Sequence, residues 1–443
     1  MPFVPNTDEQ RRSMLDELGL SAEDLFADIP PELRAKALDV GPGMSEQAVV
    51  ESVGGLAATD RPAAISFVGG GFYDHFVPAT VDAVLRRGEF YTAYTPYQPE
   101  ISQGTLQAIY EYQSAVCRLT GMEVANASLY DGGTAVYEAV MTAARVTGRA
   151  KVIVDGGLNP IYRRMLATHA ANRGLEIFEV ACGDGRPDRA RIAEEMDDTT
   201  AALLVAYPSF FGVVDDFSDL ALAAHDAGAL LIASCYPVAL GLLKTPGAMG
   251  ADVVVAEGQS LGLPLSFGGP YLGILAARME YARKLPGRIA GRTVDAQARE
   301  GFVLTLQARE QHIRRAKASS NICTNEALCA LGALVFLSTV GKDGLAELAQ
   351  LCADLCALAR SRLANIPGVA LRFPGAVTFN EFVLELPVPA EPVVRALMER
   401  GIAPGIPLGA WYTGMDRCLL VCLTEKRTPA DVEALARELE AAL

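Results

Sequence analysis

Residues 251–273 form the kind of loop that carries a catalytic amine in one large class of enzymes, yet they contain no lysine. An apolar strand runs into Gly258, a Gly/Pro/Ser-rich loop comes next, and a second apolar run begins at Tyr271. In many enzymes that use pyridoxal phosphate, a lysine in such a loop forms a Schiff base with the cofactor. The pattern is that of a cofactor loop without its nucleophile.

The end of the apolar run 229–235 gives a second, independent test. A carboxylate there would pair with the protonated pyridine nitrogen of such a cofactor, but Ala233 and Ser234 carry no charge. Because two requirements fail together, the sequence indicates lost cofactor binding. Lys244 is the nearest substitute amine, although it precedes its strand instead of following it.

A glycine-rich turn could still bind an anion. Asp131 is followed by Gly132, Gly133 and Thr134 at the start of a predicted helix. Backbone N–H groups at such a start attract phosphate. An ordinary strand-to-helix turn capped by Thr134 explains the same residues and is the simpler interpretation of this motif taken alone.

Two polar segments have ambiguous roles. Residues 88–113 are aromatic and broken by prolines, so we predict a loop whose tyrosines cover a planar ligand or pack locally. Residues 309–325 form a basic island in an acidic chain. Such an island suits either a carboxylate or phosphate contact or a solvated helix face.

Alternating strands and helices between residues 61 and 310 predict a mainly parallel sheet covered by helices on both faces. We expect an N-terminal helical arm (1–60), a large domain (61–325) and a smaller C-terminal α/β domain (326–443). A helix from Ser45 is predicted to end at Gly54 and Gly55. The predicted strands are 65–68, 152–155, 176–180, 202–206, 229–233, 253–256, 272–276, 370–373, 381–386 and 418–423. The main predicted helices are 134–147, 159–173, 217–227, 328–339, 345–366, 392–400 and 429–442.

Composition excludes several classes of function. The chain of 443 residues has 53 acidic and 38 basic residues and a net charge of −15, which argues against nucleic acid as a partner. Its nine cysteines form no Cys-x-x-Cys pair, and no histidine lies close in sequence to the two cysteine pairs spaced by four. We therefore expect reduced thiols, no metal site, no membrane span and a cytoplasmic location.

Three long strings resemble the P-protein family of the glycine cleavage system. They are Tyr94-Thr-Pro-Tyr-Gln-Pro-Glu-Ile-Ser-Gln-Gly104, the loop 258–273, and Arg309-Glu-Gln-His-Ile-Arg-Arg with the later Ser320-Asn-Ile-Cys-Thr324. The resemblance spans nearly the whole chain. More narrowly, the chain resembles the first subunit of a two-subunit form, which is similar to the N-terminal half of a fused P-protein. It implies a fold-type-I, aspartate-aminotransferase-like large domain.

The resemblance also implies which half of the enzyme this chain is. The C-terminal half of the family carries a lysine where this chain has Gln259, and a neutral amide cannot form a Schiff base. The implied assembly is α2β2, in which this chain has no covalently bound cofactor and a partner beta subunit holds pyridoxal phosphate. The implied substrate is glycine, and the implied acceptor of the aminomethyl group is the lipoylated H-protein.

Within that assembly this chain is expected to complete the partner's cleft with residues of its polar segments. The alternatives left open are a purely structural partner and an independent enzyme that uses Lys244. The candidate residues are Tyr94, Thr95, Tyr97, Gln98, His312, Arg314, Ser320, Asn321, Cys323 and Thr324, with Gly132, Gly133 and Thr134 as a vestigial anion loop.

Overall fold

The computed structural model describes residues 6–35, 39–60, 63–322 and 324–443. The chain divides into two compact units, Met1–Arg61 and Pro62–Leu443. The first unit contains helices α1 (Asp8–Leu18) and α2 (Glu46–Ala57).

The predicted end of the second helix is wrong. Ser45 does cap α2, since its hydroxyl accepts the Ala48 N–H at 3.2 Å. Gly54 and Gly55 nevertheless lie inside the helix. A glycine ends a helix readily when it adopts a left-handed conformation, and neither of these two does.

A seven-stranded sheet forms the centre of the second unit, in the order β2-β8-β7-β6-β5-β3-β4. Neighbours from β7 to β4 are parallel, whereas β8 runs antiparallel to both β7 and β2. The mainly parallel α/β sheet is therefore confirmed. The strands are β1 (Ile65–Ser66), β2 (Val124–Ala125), β3 (Lys151–Asp155), β4 (Glu176–Val180), β5 (Thr200–Tyr207), β6 (Leu230–Cys235), β7 (Val253–Glu257) and β8 (Gly273–Ala277).

Helices cover both faces of this sheet, because two separate clusters of buried side chains lie against it. Every second residue of a buried strand points to the same face, so Ile153 joins one cluster while Val152 and Val154 join the other. The helices are α3 (Ala79–Leu85), α4 (Gly88–Tyr91), α5 (Gln103–Thr120), α6 (Gly132–Thr147), α7 (Pro160–Ala170), α8 (Arg189–Glu195), α9 (Ser218–Asp226) and α10 (Gln311–Arg314).

Two features differ from the sequence prediction. The loop expected over 88–113 is shorter, because α4 and α5 occupy both of its ends and leave 92–102 as the connection. An antiparallel hairpin, β9 (Ile289–Val294) and β10 (Glu300–Thr305), was not predicted. Its strands are partly exposed, and glycine and polar residues interrupt both of them, so neither reaches the apolar run of about four residues that marks a buried strand.

A long helix, α11 (Ala327–Ala364), leads to the C-terminal elements. Gly341 interrupts it with φ 65° and ψ −173°, in the gap between the two predicted helices. By length and composition α11 could cross a membrane, but side chains along it, from Cys329 to Leu363, pack into core clusters.

A four-stranded antiparallel sheet, ordered β11-β12-β15-β14, completes the unit, and β1 pairs in parallel with β13. The domain boundary expected near residue 325 stays a prediction. The remaining elements are β11 (Ala370–Leu371), β12 (Glu381–Glu385), α12 (Ala390–Glu399), β13 (Ile402–Ala403), β14 (Ile406–Pro407), β15 (Cys418–Cys422) and α13 (Pro429–Glu440).

Candidate functional site

Gln259 is buried and fully engaged with the backbone. Its side chain is 1% exposed. Its oxygen accepts the Tyr73 N–H at 2.8 Å, and its nitrogen donates to the carbonyls of Tyr73 and Leu263 at 3.0 and 2.9 Å. The amide thus ties the loop after β7 to the segment around residue 73, which is a structural task that a charged lysine could not perform unchanged.

Glu257 takes the position that an anion would need at the start of α6. One carboxylate oxygen accepts the Gly132 N–H at 2.9 Å, and the other accepts the N–H groups of Gln259 and Leu272 at 2.9 and 3.1 Å. Asp131 accepts the Thr134 N–H at 2.7 Å. Two carboxylates of the chain therefore occupy donors of the predicted anion loop, which also includes Gly133.

Burial and hydrogen bonding act in opposite directions on Glu257. Burial raises the pKa of its carboxyl to about 7, while the N–H groups of Gly132, Leu272 and Gln259 partly offset that rise. The carboxyl therefore titrates near neutral pH inside the protein. A second anion at this helix start would meet a negative charge whenever Glu257 is ionised.

The surrounding cavity is small, and the end of β6 that borders it carries no carboxylate for a pyridine nitrogen. Its volume is about 60 Å³, and it is lined by residues that include Tyr73, Asn159, Tyr162, Ser234 and Glu257. Small-molecule sites usually measure ~300–1,000 Å³. Ser234 contributes a hydroxyl where a carboxylate would be needed.

We call Gly132, Ser234, Glu257 and Gln259 the vestigial pocket. Its residues do not fit pyridoxal phosphate, because the amine is replaced, the charge at the strand end is missing and the Gly132 N–H is already bonded. Lys244 does not supply the amine in this structure: it is partly exposed and bonds Asp216 and Ser218 at 3.1 Å each.

A polar network adjoins this pocket. The Glu381 carboxylate accepts the Tyr73 hydroxyl and the Gly70 N–H, each at 2.7 Å, and burial raises its pKa to about 7. Folding also brings His75, Glu425 and Cys352 together, with their ligand atoms within 4.8 Å of one another. His75 is distant from Cys352 in sequence but lies close to it in the fold. His75 also forms a hydrogen bond with Glu425 at 2.6 Å.

A second group, which we call the loop cluster, consists of Tyr97, Arg288, Glu310 and His312. Arg288 donates to the Tyr97 hydroxyl at 3.0 Å, and its guanidinium lies 5.3 Å from the Tyr97 ring centre. Glu310 Oε2 lies 3.7 Å from Arg288 Nε and 3.6 Å from His312 Nδ1. The rings of Tyr97 and His312 meet edge to face at 5.7 Å.

The β9–β10 hairpin explains this convergence. Arg288 directly precedes β9, whose first residue pairs with the last residue of β10. The chain then turns at Leu306, and Arg309 bonds the carbonyls of Leu285 and Gly287. These bonds bring Glu310 beside Arg288, with both side chains under 10% exposed.

The other predicted residues do not form one site. Tyr94 is 79% exposed and borders a different cavity, beside α5 and α11. Ser320 donates to Glu138 at 2.8 Å, and Asn321 lines the same cleft. Arg314 bonds the Ala308 carbonyl. Within the described residues, the side chains of Thr95, Gln98 and Thr324 make no hydrogen bond to the loop cluster, although the Thr95 carbonyl accepts the Tyr97 N–H at 2.9 Å. Cys323 lies outside the described residues.

Sequence reasoning missed Arg288, Glu310 and Glu257 as site residues. Glu310 stands inside the Arg-Glu-Gln-His string that carried the family resemblance, so that string was the available signal. Arg288 and Glu257 are single charges beside apolar runs. A single charge at a strand end becomes informative only once its burial and its partners are known.

Comparison with known proteins decides the family. The family model for the glycine cleavage system P-protein matches residues 1–439. The chain belongs to this family. It is 56% identical over the full length of both chains to a probable glycine dehydrogenase (decarboxylating) subunit 1 of Geotalea uraniireducens, and 53% identical over 98% of both chains to one of Oleidesulfovibrio alaskensis.

Solved structures confirm the fold of this P-protein subunit. A crystal structure of glycine decarboxylase (P-protein) in inhibitor-bound form is 44% identical, covers both chains fully and has a TM-score of 0.93. A sphingosine-1-phosphate lyase of Burkholderia pseudomallei, at 17% identity over 94% of both chains and a TM-score of 0.63, shares the fold alone. The predicted fold-type-I architecture is thereby confirmed.

Proposed function

We propose that this chain is the cofactor-free subunit of a two-subunit glycine dehydrogenase (decarboxylating). In this proposal a beta subunit holds pyridoxal phosphate, and the lipoylated H-protein accepts the aminomethyl group. The observation that carries it is Gln259, a buried amide with three backbone hydrogen bonds at the lysine position. The subunit 1 name of the full-length relatives supports it.

The loop cluster is the part of this chain that we assign to the partner's active site. When bound by the partner, pyridoxal phosphate supplies the sink for the electrons left as CO2 departs. Because Arg288 donates to the Tyr97 oxygen, the hydroxyl proton of Tyr97 is left to donate elsewhere. Tyr97 is 45% exposed and can orient a group presented by the partner.

The other candidate residues of segments 94–104 and 309–324 contribute to the interface with the partner subunit in this proposal. Tyr94, Thr95 and Gln98 lie on the connection 92–102, where side chains such as that of Tyr94 project into solvent. Arg314, Ser320, Asn321 and Thr324 come after the loop cluster along the chain, as does Cys323. We infer a cytoplasmic α2β2 assembly, with glycine as the substrate.

Reconstitution is the primary test of this proposal. The full chain, the beta subunit and their co-purified complex are each assayed for glycine decarboxylation with lipoylated H-protein. We expect activity in the complex and none in this chain alone, because its vestigial pocket has no amine. Decarboxylation by the isolated chain would contradict the proposal.

Removing the Tyr97 hydroxyl distinguishes a role in the partner's active site from a purely structural role. In the assembled complex we expect Tyr97→Phe to lower kcat/KM about tenfold, since the lost contact corresponds to ~1.4 kcal/mol. Tyr91→Phe is the matched control, because Tyr91 is also an exposed tyrosine (69%) close to the same connection. Equal turnover of both variants at equal assembly would favour the structural partner instead.

A further inference from the structure

A separate polar cleft lies between α6, α7 and the segment 311–322. Its volume is about 560 Å³, which is within the range of small-molecule sites. Three arginines line it: Arg145, Arg173 and Arg315. We call it the arginine cleft. It shares no residue with the loop cluster, although Ser320 and Asn321, which we assign to the partner interface, also line it. Ligand binding there does not require the proposed function.

The charge balance of the arginine cleft is opposite to that of the whole chain. The chain carries a net charge of −15, and surface arginines such as Arg189 and Arg191 are held in ion pairs with acidic neighbours. Within the described residues the side chains of Arg173 and Arg315 have neither a hydrogen bond nor an ion pair. Two arginines without a hydrogen bond or an ion pair among the described residues therefore border one cavity.

The interior of the cleft has polar atoms that the chain leaves unbonded. Arg145 donates from Nη2 to Thr142 and to the Lys284 carbonyl, but its buried Nε has no partner among the described residues. Glu138 is 3% exposed. One of its oxygens accepts the Ser320 hydroxyl at 2.8 Å, and the other is buried without a described partner. Unbonded buried polar atoms are costly unless a ligand satisfies them.

Burial favours the uncharged form of the Glu138 carboxyl, and an anion nearby would favour that form as well. Burial raises the pKa of its carboxyl, against the opposing effects of the Ser320 hydrogen bond and the charges of Arg145 and Arg173. A protonated carboxyl can donate to a ligand oxygen, as a phenol or hydroxyl would. The cleft is also lined by Tyr137, whose ring lies 5.0 Å from that of His169.

We propose that the arginine cleft binds a small phosphomonoester. Arginine forks match the oxygens of a phosphate, and three of them suit a dianion better than a single carboxylate. The phosphate lies among Arg145, Arg173 and Arg315, with Glu138 beside it. The cleft is larger than an inorganic ion needs, and Tyr130, Tyr137 and the methionines at its wall accommodate the organic part.

Calorimetric titration of the full chain with inorganic phosphate and with glycerol 3-phosphate tests the proposal. We expect saturable binding of both, tighter for glycerol 3-phosphate. Arg173→Gln and Arg315→Gln should each weaken binding about tenfold, since each removes one charge-assisted contact. Arg164→Gln is the matched control, because this exposed arginine on α7 does not line the cleft, and it should change affinity less than about twofold.

Three results would overturn the proposal. They are the absence of saturable binding at millimolar phosphate, equal binding by the control and cleft variants, and loss of binding when the beta subunit is added. The last result would make the cleft a partner interface. Since Arg173 and Arg315 are exposed, far-ultraviolet circular dichroism should be the same for all variants. Decarboxylation assays are not needed for any arm, so failure here leaves the proposed function untouched.

Discussion

The vestigial pocket and the loop cluster are both polar groups near the sheet, but they satisfy their charges differently. In the vestigial pocket, Glu257 and Gln259 bond backbone groups of their own chain at 2.8–3.1 Å. In the loop cluster, the Glu310 carboxylate lies 3.7 Å from Arg288 and 3.6 Å from His312, and Tyr97 and His312 are exposed. Internal bonding marks a site used for folding, whereas exposed and loosely held groups mark one that faces a ligand or another chain.

Placing a lysine at position 259 should cause the largest change in stability. Gln259→Lys removes three backbone hydrogen bonds and buries an ammonium, so we expect a loss of about 4 kcal/mol in the free energy of unfolding and no cofactor absorbance on adding pyridoxal phosphate. Gln259→Met, which adds no charge, should cost about 2 kcal/mol. Denaturant unfolding measures both. A stable Lys variant that bound the cofactor would show that the pocket is still functional.

Glu257 should make stability depend on pH in a defined window. Its folded pKa of about 7 exceeds the ordinary value of a glutamate, so the folded state retains a proton that the unfolded state releases. The contribution is therefore fully present below about pH 4.5 and is lost as pH rises toward about 7. Glu257→Gln lacks this titration.

Urea unfolding of the wild type and Glu257→Gln at several pH values isolates that contribution. We expect the stability advantage of the wild type to shrink by on the order of 3 kcal/mol between about pH 4.5 and 7.5. Glu381 titrates in the same direction but is present in both proteins, so it cancels. A constant difference across the window would mean that the Gly132 N–H does not meet a titrating carboxylate.

Changes in the loop cluster should alter turnover and leave stability nearly unchanged. His312→Gln removes an exposed imidazole beside Glu310 and Tyr97. We expect turnover of the complex to fall several-fold, about 1 kcal/mol in activation free energy, with less than ~0.5 kcal/mol lost from unfolding. The double variant with Tyr97→Phe should lose less than the sum of the two single changes, because the rings are in contact. Additive losses would show that Tyr97 and His312 act independently of each other.

Lys244→Met should have the smallest effect. The Lys244–Asp216 ion pair is exposed, and such pairs contribute ~0–1 kcal/mol. The free energy of unfolding should change by less than ~0.5 kcal/mol, and turnover of the complex should be unaltered. Loss of turnover would revive the displaced-lysine hypothesis.

The sequence alone predicts much of the vestigial pocket and of the central sheet. The charged residues that complete the two sites could not be predicted, for a physical reason. The missing amine and the uncharged end of β6 are local facts of sequence, and the buried parallel strands leave clear apolar runs. Glu257 and Arg288 acquire their roles only through partners 125 and 191 residues away in the chain, Gly132 and Tyr97. The strands of the hairpin that positions Arg288 are partly exposed and interrupted by glycine and polar residues. Whether Gly54 ends α2 depends on its backbone conformation, which composition does not reveal, and the helix continues through it.

The carboxylate of Glu257 at the start of α6 also bears on how this subunit could change over evolutionary time. To bind such a cofactor, the chain would have to remove Glu257 from the Gly132 N–H, place an amine at position 259 and add a charge at position 234. The first two steps each remove buried hydrogen bonds and lower stability before any benefit arises. Because the chain's own side chains already bond these groups, the proposed division of roles between two subunits would be difficult to reverse.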